Sequence, residues 1–245
     1  MSKISLIFVL FTVGFAVAGA VLQRLEEDSI PTSKGELRIS FVGHASLFFT
    51  FDGKVIHIDP VSGEGDYRGF PKADLILITH EHFDHLDAEA VRLIRKPETQ
   101  IIIAQACAGK VKDAIVMKNG DQKTVLGFDV KAIPAYNILH KRPNGAPFHS
   151  KGPGNGYVIT FGDKRVYIAG DTEPIPEMKS LEAIDIAFLP MNLPYTMSPE
   201  MAADAARTIK PKILYPYHYG ETDTSKLIGL LNSSPGIEVR IRRMN

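Results

Sequence analysis

The sequence predicts an α/β or layered α+β fold, in which strands and helices are mixed along the chain. From residue 37 onward, short apolar segments with the period or length of strands alternate with segments that carry helix signals. No break in composition occurs between residues 37 and 245. Of the 245 residues, 44% are apolar and 23% charged, values typical of a soluble globular domain. We therefore treat residues 37–245 as one domain.

The first predicted strands lie next to one another. Residues 37–41 alternate between apolar and polar, which is the pattern of a half-buried strand. Residues 47–51 and 55–58 are strand-like as well, and the Asp52-Gly53 turn signal joins them. Because such short turns connect antiparallel neighbours, we expect these strands to pair in that way.

Buried strands and helices alternate in the remainder. Residues 75–78 are four consecutive aliphatic residues, which indicates a fully buried strand. Ser198, Pro199 and Glu200 supply a capping hydroxyl, a proline and an acid for a helix that continues to about residue 210. The other predicted helices cover residues 87–95, 107–116 and 224–231. The other predicted strands cover residues 101–104, 128–133, 157–161, 166–169, 184–189 and 212–215.

The amino end differs from this domain. Residues 4–22 carry no charge and end in small residues, as in a secretory signal peptide, and about 20 apolar residues also suffice to span a bilayer uncut. We predict that residues 1–23 are a signal peptide or membrane anchor. The protein would then be periplasmic, extracytoplasmic or membrane-associated rather than cytoplasmic. Residues 24–36 are charged and then turn-like, so we interpret them as a linker.

Charge and cysteine content narrow the function. Lys+Arg and Asp+Glu each number 28, so a broad basic surface is excluded and no nucleic-acid partner is expected. The single cysteine, Cys107, can form neither an intrachain disulfide nor a cysteine metal cluster. Any metal must therefore be bound by His, Asp or Glu.

The strongest chemical signal follows the predicted strand 75–78. His80, His82, Asp84 and His85 are four good metal ligands within six residues. In an extended loop, residues i and i+2 face the same way, so His80 and His82 can share one ion. Asp84 and His85 lie where the chain turns into a helix and can face a second ion. The alternative is a polar surface loop that is rich in histidine.

Two more ligand residues follow buried strands. Asp171 comes after the strand 166–169, and His218 after the strand 212–215. Sites on α/β sheets gather at the carboxyl ends of strands. A lone aspartate there is usually a turn residue and a lone histidine is usually structural. Their joint placement with His80 and its neighbours predicts a metal site.

These residues resemble the metallo-β-lactamase superfamily of metal-dependent hydrolases. More narrowly, they resemble the branch of ascorbate-6-phosphate lactonases and N-acylphosphatidylethanolamine-hydrolysing phospholipase D enzymes. The likeness covers about residues 37–220. It is carried by the His-x-His-x-Asp-His motif, a later His, Gly-Asp-Thr and a final His, and by residues 41–46, 58–60, 188–190, 195–200 and 216–219. It implies an αββα sandwich with the site at one edge.

The resemblance also implies two divalent ions. Metal 1 would bind His80 and His82, metal 2 would bind Asp84, His85 and His218, and Asp171 would bridge both. Zinc is the expected metal, and Mn²⁺ or Fe²⁺ also suits these ligands.

The third ligand of metal 1 departs from the simplest family pattern. Many relatives have a histidine where this chain has Asn137. His140 and His149 lie further on, and we favour His149 because residues 148–152 resemble a sub-branch with histidine there. Without a histidine at this place, metal 1 would be weak and the enzyme mononuclear.

A metal-bridging hydroxide would then attack an ester, lactone, amide or phosphodiester bond, since bound metal lowers the pKa of water to about 7. Asp84 is the expected catalytic residue, because it can orient the hydroxide as well as bind metal. Asp59 is a candidate to orient a ligand imidazole, with a strand-end turn as the alternative. The remaining candidates for substrate contact or support of the site are His44, Asn137, Asn192, Tyr195 and Thr196.

The substrate is expected to be a small molecule or a lipid. The sequence does not indicate an oligomeric state. An alternative is a phospholipid-directed phosphodiesterase at a membrane, which residues 4–22 favour. Another is a non-hydrolytic di-iron redox or metal-binding protein. Redox relatives usually carry a flavin domain, for which 245 residues leave no room. The near-complete ligand set argues against a protein without turnover.

Overall fold

The computed structural model describes residues 25–245, which form two seven-stranded sheets packed face to face. The first sheet contains β1 Glu26–Thr32, β2 Gly35–Gly43, β3 Ser46–Phe51, β4 Lys54–Ile58, β5 Leu75–Ile78, β6 Gln100–Ala104 and β7 Ile115–Met117. The second contains β8 Gln122–Val125, β9 Phe128–Pro134, β10 Asn155–Phe161, β11 Lys164–Ile168, β12 Ile186–Pro190, β13 Ile213–Tyr217 and β14 Glu238–Val239. The helices are α1 Ala88–Ile94, α2 Pro199–Ile209 and α3 Thr224–Leu231, with 3-10 turns at Gln105–Cys107 and Pro176–Ser180.

The two sheets have the same topology. In each, the strands lie side by side in chain order. In each, the first four strands pair antiparallel and the last four pair parallel. The molecule therefore consists of two halves of similar topology, one carrying β1–β7 and the other β8–β14.

Three apolar layers hold the sandwich together. The central one lies between the sheets and includes Phe49, whose ring contacts those of Phe161 and Phe188. Helix α1 packs on the outer face of the first sheet, and α2 and α3 pack on the outer face of the second. This arrangement confirms the predicted αββα sandwich.

Helix α2 begins as its sequence predicts. The Ser198 side chain accepts a hydrogen bond from the backbone N–H of Met201, and Pro199 occupies the first turn. The helix ends at Lys210, which adopts a left-handed conformation with φ of +55° immediately before Pro211.

The linker prediction for residues 24–36 is wrong over β1. Glu26–Thr32 pairs antiparallel with β2 in the register Ile30 to Leu37, and Ile30 is buried. The turn-like residues that suggested a linker instead form the hairpin between β1 and β2.

An ion-pair network ties β1 to the end of the chain. Arg242 Nη2 donates to both carboxylate oxygens of Asp28 at 2.7 and 2.9 Å. The Tyr215 hydroxyl donates to the same carboxylate, and Arg240 lies 3.4 Å from it. The first strand is therefore anchored to β13 and to the segment after β14.

The predicted helix over residues 107–116 is also wrong. The chain forms only the 3-10 turn Gln105–Cys107 and then β7. Gly109 and Asp113 both have positive φ, which an α-helix does not accommodate. The short strands β8 and β14 were not predicted, because both are largely exposed and lack an apolar period.

The predicted signal peptide or anchor over residues 1–23 lies outside the described residues. Within residues 25–245, no helix combines the length and apolarity needed to cross a bilayer.

Candidate metal centre

The loop after β5 turns its ligands in two directions. The backbone N–H groups of His85 and Leu86 both donate to the carbonyl of His82, at 3.0 and 2.9 Å. This tight turn separates His80 and His82 from Asp84 and His85. Asp87 then caps α1 by accepting from the Glu89 N–H at 2.8 Å.

The first candidate position, called site 1, combines three imidazoles and one carboxylate. His82 Nδ1 lies 3.2 Å from His80 Nε2 and 3.2 Å from His149 Nε2. Asp171 Oδ2 lies 3.3 Å from His149 Nε2 and 3.9 Å from His80 Nε2. Ligands at 2.0–2.1 Å from a tetrahedral zinc ion are separated by about 3.3–3.4 Å. These separations fit one ion.

The second position, site 2, shares Asp171. His85 Nε2 lies 3.3 Å from Asp171 Oδ1, and His218 Nε2 lies 3.3 Å from Asp171 Oδ2. Asp84 Oδ2 is 3.7 Å from His218 Nε2. The structure thus brings all seven predicted ligands together, including His149. It places Asp171 between the two positions.

Buried polar atoms at site 2 fit a bound cation. His85 Nε2, Asp171 Oδ1 and His218 Nε2 are buried, and none has a hydrogen-bond partner among residues 25–245. An unsatisfied buried polar atom costs about 1–3 kcal/mol. A divalent ion would satisfy all three atoms at once, so the residues present fit the predicted metal.

Asp59 supports both histidine-bearing ends of the loop after β5. His85 Nδ1 donates to Asp59 Oδ2 at 2.8 Å, and the Thr79 N–H donates to Oδ1 at 2.7 Å. The Thr79 hydroxyl donates to Oδ2 at 2.6 Å and lies 3.0 Å from His80 Nδ1. Because Asp59 takes the Nδ1 proton of His85, it leaves Nε2 free to face site 2.

Asn137 orients His149. Its side-chain oxygen accepts from Nδ1 and from the backbone N–H of His149, both at 2.8 Å. Its amide nitrogen donates to Glu173 Oε1 at 3.1 Å and to the carbonyl of Tyr195 at 2.9 Å. Asn137 is therefore placed behind the ligand, while His149 points its Nε2 at site 1.

Glu173 is a supporting residue that the sequence analysis missed. It is almost fully buried and accepts hydrogen bonds from the backbone N–H groups of residues 138–140 at 2.6–2.8 Å. Its Oε1 also lies 2.7 Å from His140 Nδ1. His140 is thus held by Glu173 and belongs to no potential metal-binding cluster among residues 25–245. The only available signal was an acid two residues after Asp171.

His44 lies beside site 2. It adopts a positive φ of 50° at the end of β2, and its Nε2 is 3.3 Å from Asp84 Oδ2. Its ring centroid is 3.8 Å from that of His218, and its carbonyl accepts from the His218 N–H at 2.9 Å. His44 therefore contacts the ligands Asp84 and His218 directly.

The remaining candidates lie on the loop after β12. Asn192 and Tyr195 line a cavity of about 530 Å³ above the metal positions. Thr196 was expected to line the pocket, but it is fully buried. Its hydroxyl accepts from the Asn192 N–H at 2.8 Å, so it holds the turn that presents Asn192 and Tyr195.

The charge states of three of the proposed ligands suit metal binding. Burial lowers the pKa of His149 to about 4, so its imidazole is neutral at neutral pH. Burial alone would raise the pKa of Asp171, but the neighbouring His218 and His85 hold it well below its ordinary value. For Asp84, burial is likewise outweighed by the neighbouring His218 and His44, which lower its pKa. Both carboxylates are therefore ionised.

Comparison with known proteins identifies the family. A sequence profile described as the β-lactamase superfamily domain matches residues 38–218. The chain belongs to the metallo-β-lactamase superfamily. Among curated members, a UPF0173 metal-dependent hydrolase of Methanoculleus marisnigri is 32% identical over 222 residues, which cover 83% of this chain and 97% of that protein.

Two solved structures resemble this chain. A protein of Parabacteroides distasonis assigned as a metal-dependent hydrolase has a TM-score of 0.86 and 50% identity, covering 91% of this chain and all of that one. A metallo hydrolase of Ignicoccus hospitalis has a TM-score of 0.69 and 24% identity, covering 85% and 96%, and shows the shared fold. The predicted superfamily, the metal-dependent hydrolase class and the use of divalent metal are confirmed.

Proposed function

We propose that this metallo-β-lactamase superfamily hydrolase binds two zinc ions and cleaves an ester, lactone, amide or phosphodiester bond. The observation that carries the proposal is the position of Asp171. Its Oδ2 lies 3.3 Å from His149 Nε2 on one side, and its Oδ1 lies 3.3 Å from His85 Nε2 on the other. One buried carboxylate can therefore serve both sites.

The ligand types favour zinc. Site 1 offers three imidazole nitrogens and a carboxylate oxygen, and zinc binds such nitrogen-rich sets with tetrahedral geometry. Manganese and iron also accept these ligands, so metal content decides among the three.

Two divalent ions would supply Lewis-acid polarisation of a carbonyl or phosphoryl oxygen and a water molecule whose pKa is near 7. The chain itself supplies orientation. The Asp84 side chain is ionised and 31% exposed toward the cavity, so it can accept a hydrogen bond from a water molecule and orient it. His44, 3.3 Å from Asp84 Oδ2, fixes that carboxylate.

Metal content and hydrolysis test this proposal together. We expect two zinc ions per wild-type chain and fewer than one in Asp171→Asn. The control Asp129→Asn, whose exposed carboxylate binds only the Thr124 hydroxyl among residues 25–245, should keep both ions. Hydrolysis of 4-nitrophenyl acetate, a γ-lactone or bis(4-nitrophenyl) phosphate should stop on chelation and return with zinc. One ion or none in the wild type, unchanged by Asp171→Asn, would refute the dinuclear proposal.

A phospholipid-directed phosphodiesterase at a membrane is our second proposal. Apolar side chains on the loops around the centre face solvent: Phe83 is 86% exposed and Leu139 71%, and Leu193 and Tyr195 are also exposed. Exposed apolar groups of this kind are typical of surfaces that contact lipid or protein. The uncharged run at residues 4–22 supports attachment to a membrane and a location outside the cytoplasm.

Vesicle binding tests the second proposal. We expect the full chain to sediment with phosphatidylethanolamine–phosphatidylglycerol vesicles and to cleave their headgroups when zinc is present. Phe83→Ser with Leu139→Ser should reduce cleavage, whereas Leu126→Ser with Ile228→Ser, which are exposed elsewhere, should not. Absence of both binding and cleavage would refute this proposal and leave the hydrolase assignment intact.

A further inference from the structure

Arg142 is an arginine without a carboxylate partner at the mouth of the metal centre. Within residues 25–245, seven arginines lie within 4.0 Å of a carboxylate: Arg38, Arg68, Arg92, Arg95, Arg207, Arg240 and Arg242. Among the same residues, the Arg142 guanidinium makes one hydrogen bond, from Nη2 to the carbonyl of Phe148 at 3.3 Å. Most of its five N–H donors therefore remain available to a ligand.

The Arg142 backbone is held in place by a small hairpin. Its N–H donates to the Ala146 carbonyl at 2.7 Å, and its carbonyl accepts from the Gly145 N–H at 2.8 Å. An isolated β-bridge between Lys141 and Pro147 closes the same turn. The guanidinium carbon lies 5.1 Å from the centroid of the Phe148 ring, which adds a cation–π contact. Arg142 is thus positioned before any ligand arrives.

The hairpin places this cation beside the reacting centre. Arg142 and Phe148 line the 530 Å³ cavity together with His82, His149 and Asp171. They also line a second cavity of about 250 Å³, which His149 lines as well. A group bound by Arg142 would therefore lie in the same cavity as the bond to be cleaved.

The charge of the cavity favours an anionic ligand. The metal-ligand carboxylates, Asp84 and Asp171, would be neutralised by two divalent ions, which leave a net positive centre. Glu81 is the one other acid that lines the larger cavity among the described residues. Arg142 adds a further positive charge, and its planar fork matches a carboxylate or a phosphate.

The 530 Å³ cavity also has an aromatic wall. The rings of Phe148 and Tyr195 meet edge to face with centroids 5.2 Å apart, and Phe83 lines the same space. Aromatic surface of this kind favours an apolar portion of a ligand.

We propose that Arg142 is a specificity-determining residue that binds an anionic group, a carboxylate or a phosphate, on the substrate of this hydrolase. The inference rests on the proposed hydrolytic function and narrows its substrate class. The substrate is an amphipathic anion whose charged group contacts Arg142 while its apolar part lies against Phe148 and Tyr195.

Matched substrates and matched variants test the inference in the zinc-loaded full chain. The substrates are neutral 4-nitrophenyl acetate and the anionic mono(4-nitrophenyl) glutarate, and the variants are Arg142→Met and Arg142→Lys. Lys141→Met removes the same charge from the same hairpin at an exposed position that lines neither cavity, so it serves as the control. We expect Arg142→Met to lower kcat/KM about tenfold for the glutarate ester only, and Arg142→Lys to recover part of the loss.

Binding supplies a readout that does not depend on turnover. Calorimetry with benzoate and with phenylphosphonate distinguishes a carboxylate from a phosphate preference. Affinity for the preferred anion should fall about tenfold in Arg142→Met, stay unchanged in Lys141→Met, and weaken as salt is raised. These titrations decide the role of Arg142 even if no ester is hydrolysed, which would instead count against the proposed function. Equal losses for neutral and anionic substrates, or unchanged anion affinity in a folded Arg142→Met protein, would overturn the inference.

Discussion

The side-chain oxygen of Asn137 accepts a hydrogen bond from Nδ1 of His149 at 2.8 Å. The residue at the place where the family resemblance led us to look for a ligand histidine therefore orients a histidine twelve residues later. Because Nδ1 is occupied by Asn137, Nε2 of His149 faces His82 and Asp171. His149 therefore supplies the third imidazole of site 1, and Asn137 supports it from behind.

This relationship predicts distinct effects of three substitutions. His149→Ala should lower the zinc content from two ions per chain to about one. Asn137→Ala should keep the ligand but weaken zinc binding at site 1 about 10–100-fold, the usual cost of losing a residue that orients a ligand. His140→Ala should retain both ions, because Glu173 holds His140 away from site 1. Elemental analysis and competition with a chromogenic chelator measure these effects. If His140→Ala lost an ion and His149→Ala did not, His140 and not His149 would be the ligand of site 1.

Asp59 should control zinc affinity without touching the ion. Asn has one acceptor oxygen in place of two, so Asp59→Asn cannot accept from the Thr79 N–H at one position and from the Thr79 hydroxyl and His85 Nδ1 at the other. We expect zinc at site 2 to bind about 10–100-fold more weakly, with a circular dichroism spectrum like the wild type. Asp129→Asn is the matched control. Unaltered affinity in Asp59→Asn would assign Asp59 to the strand-end turn alone.

Removal of the metal should destabilise the fold. Ligand present at 100 times its Kd stabilises a protein by about 2.7 kcal/mol, which corresponds to roughly 5–10 °C in Tm for a chain of this size. We therefore expect EDTA to lower Tm by about that amount, and zinc but not equimolar magnesium to restore it. An identical Tm with and without chelator would argue that residues 25–245 do not need an ion to satisfy the buried atoms of site 2.

Asp28 should give the fold a defined acid sensitivity. Burial alone would raise the pKa of Asp28, but the Tyr215 hydroxyl and Arg242 together lower it below its ordinary value. A carboxylate with a depressed folded-state pKa contributes stability above its unfolded pKa of about 3.9, and that contribution is lost as the pH falls below this value. Asp28→Asn should lose about 1–3 kcal/mol at pH 7 and show a flatter stability profile below pH 4.

Urea unfolding of the metal-free protein measures this effect without pH-dependent loss of metal. The difference between Asp28→Asn and the wild type cancels the titration of Asp84 and Asp171, which both proteins share. Asp66→Asn is the control, since Asp66 pairs with Arg68 at an exposed position where an ion pair contributes little to stability. A profile for Asp28→Asn that parallels the wild type down to pH 3 would contradict the assignment.

Gly170 should be required for both the fold and the metal. It has a φ of +65°, and a Cβ there would lie 2.7 Å from the carbonyl oxygen of Asn155. We expect Gly170→Ala to lose more than about 2 kcal/mol and to bind less zinc, because Asp171 is the next residue. Gly53→Ala isolates the backbone cost alone: Gly53 has a φ of +69° with nothing within 4 Å, so about 1 kcal/mol is expected. Equal losses in both variants would exclude the clash with Asn155.

The ligands of the loop after β5 could be predicted from the sequence because they lie close together along the chain. His80 to His85 lie within one loop, and Asp171 and His218 follow strands that their apolar runs reveal. The contact of His44 with Asp84 joins residues 40 positions apart, and that of Glu173 with the loop at 138–140 spans more than 30. Such contacts depend on the packing of the sheets, which no periodicity encodes. The exposed strand β8 was missed for the complementary reason, since it buries no apolar face.

The repeated topology of the two sheets has a consequence for cooperativity. His80 and His82, or Asp84 and His85, come from the half that carries β1–β7, whereas His149, Asp171 and His218 come from the half that carries β8–β14. An ion at either position would therefore be a non-covalent cross-link between the halves. Such an ion would stabilise both halves together. The metal-loaded protein should then unfold in one step, even if the two halves of the metal-free protein unfold one after the other.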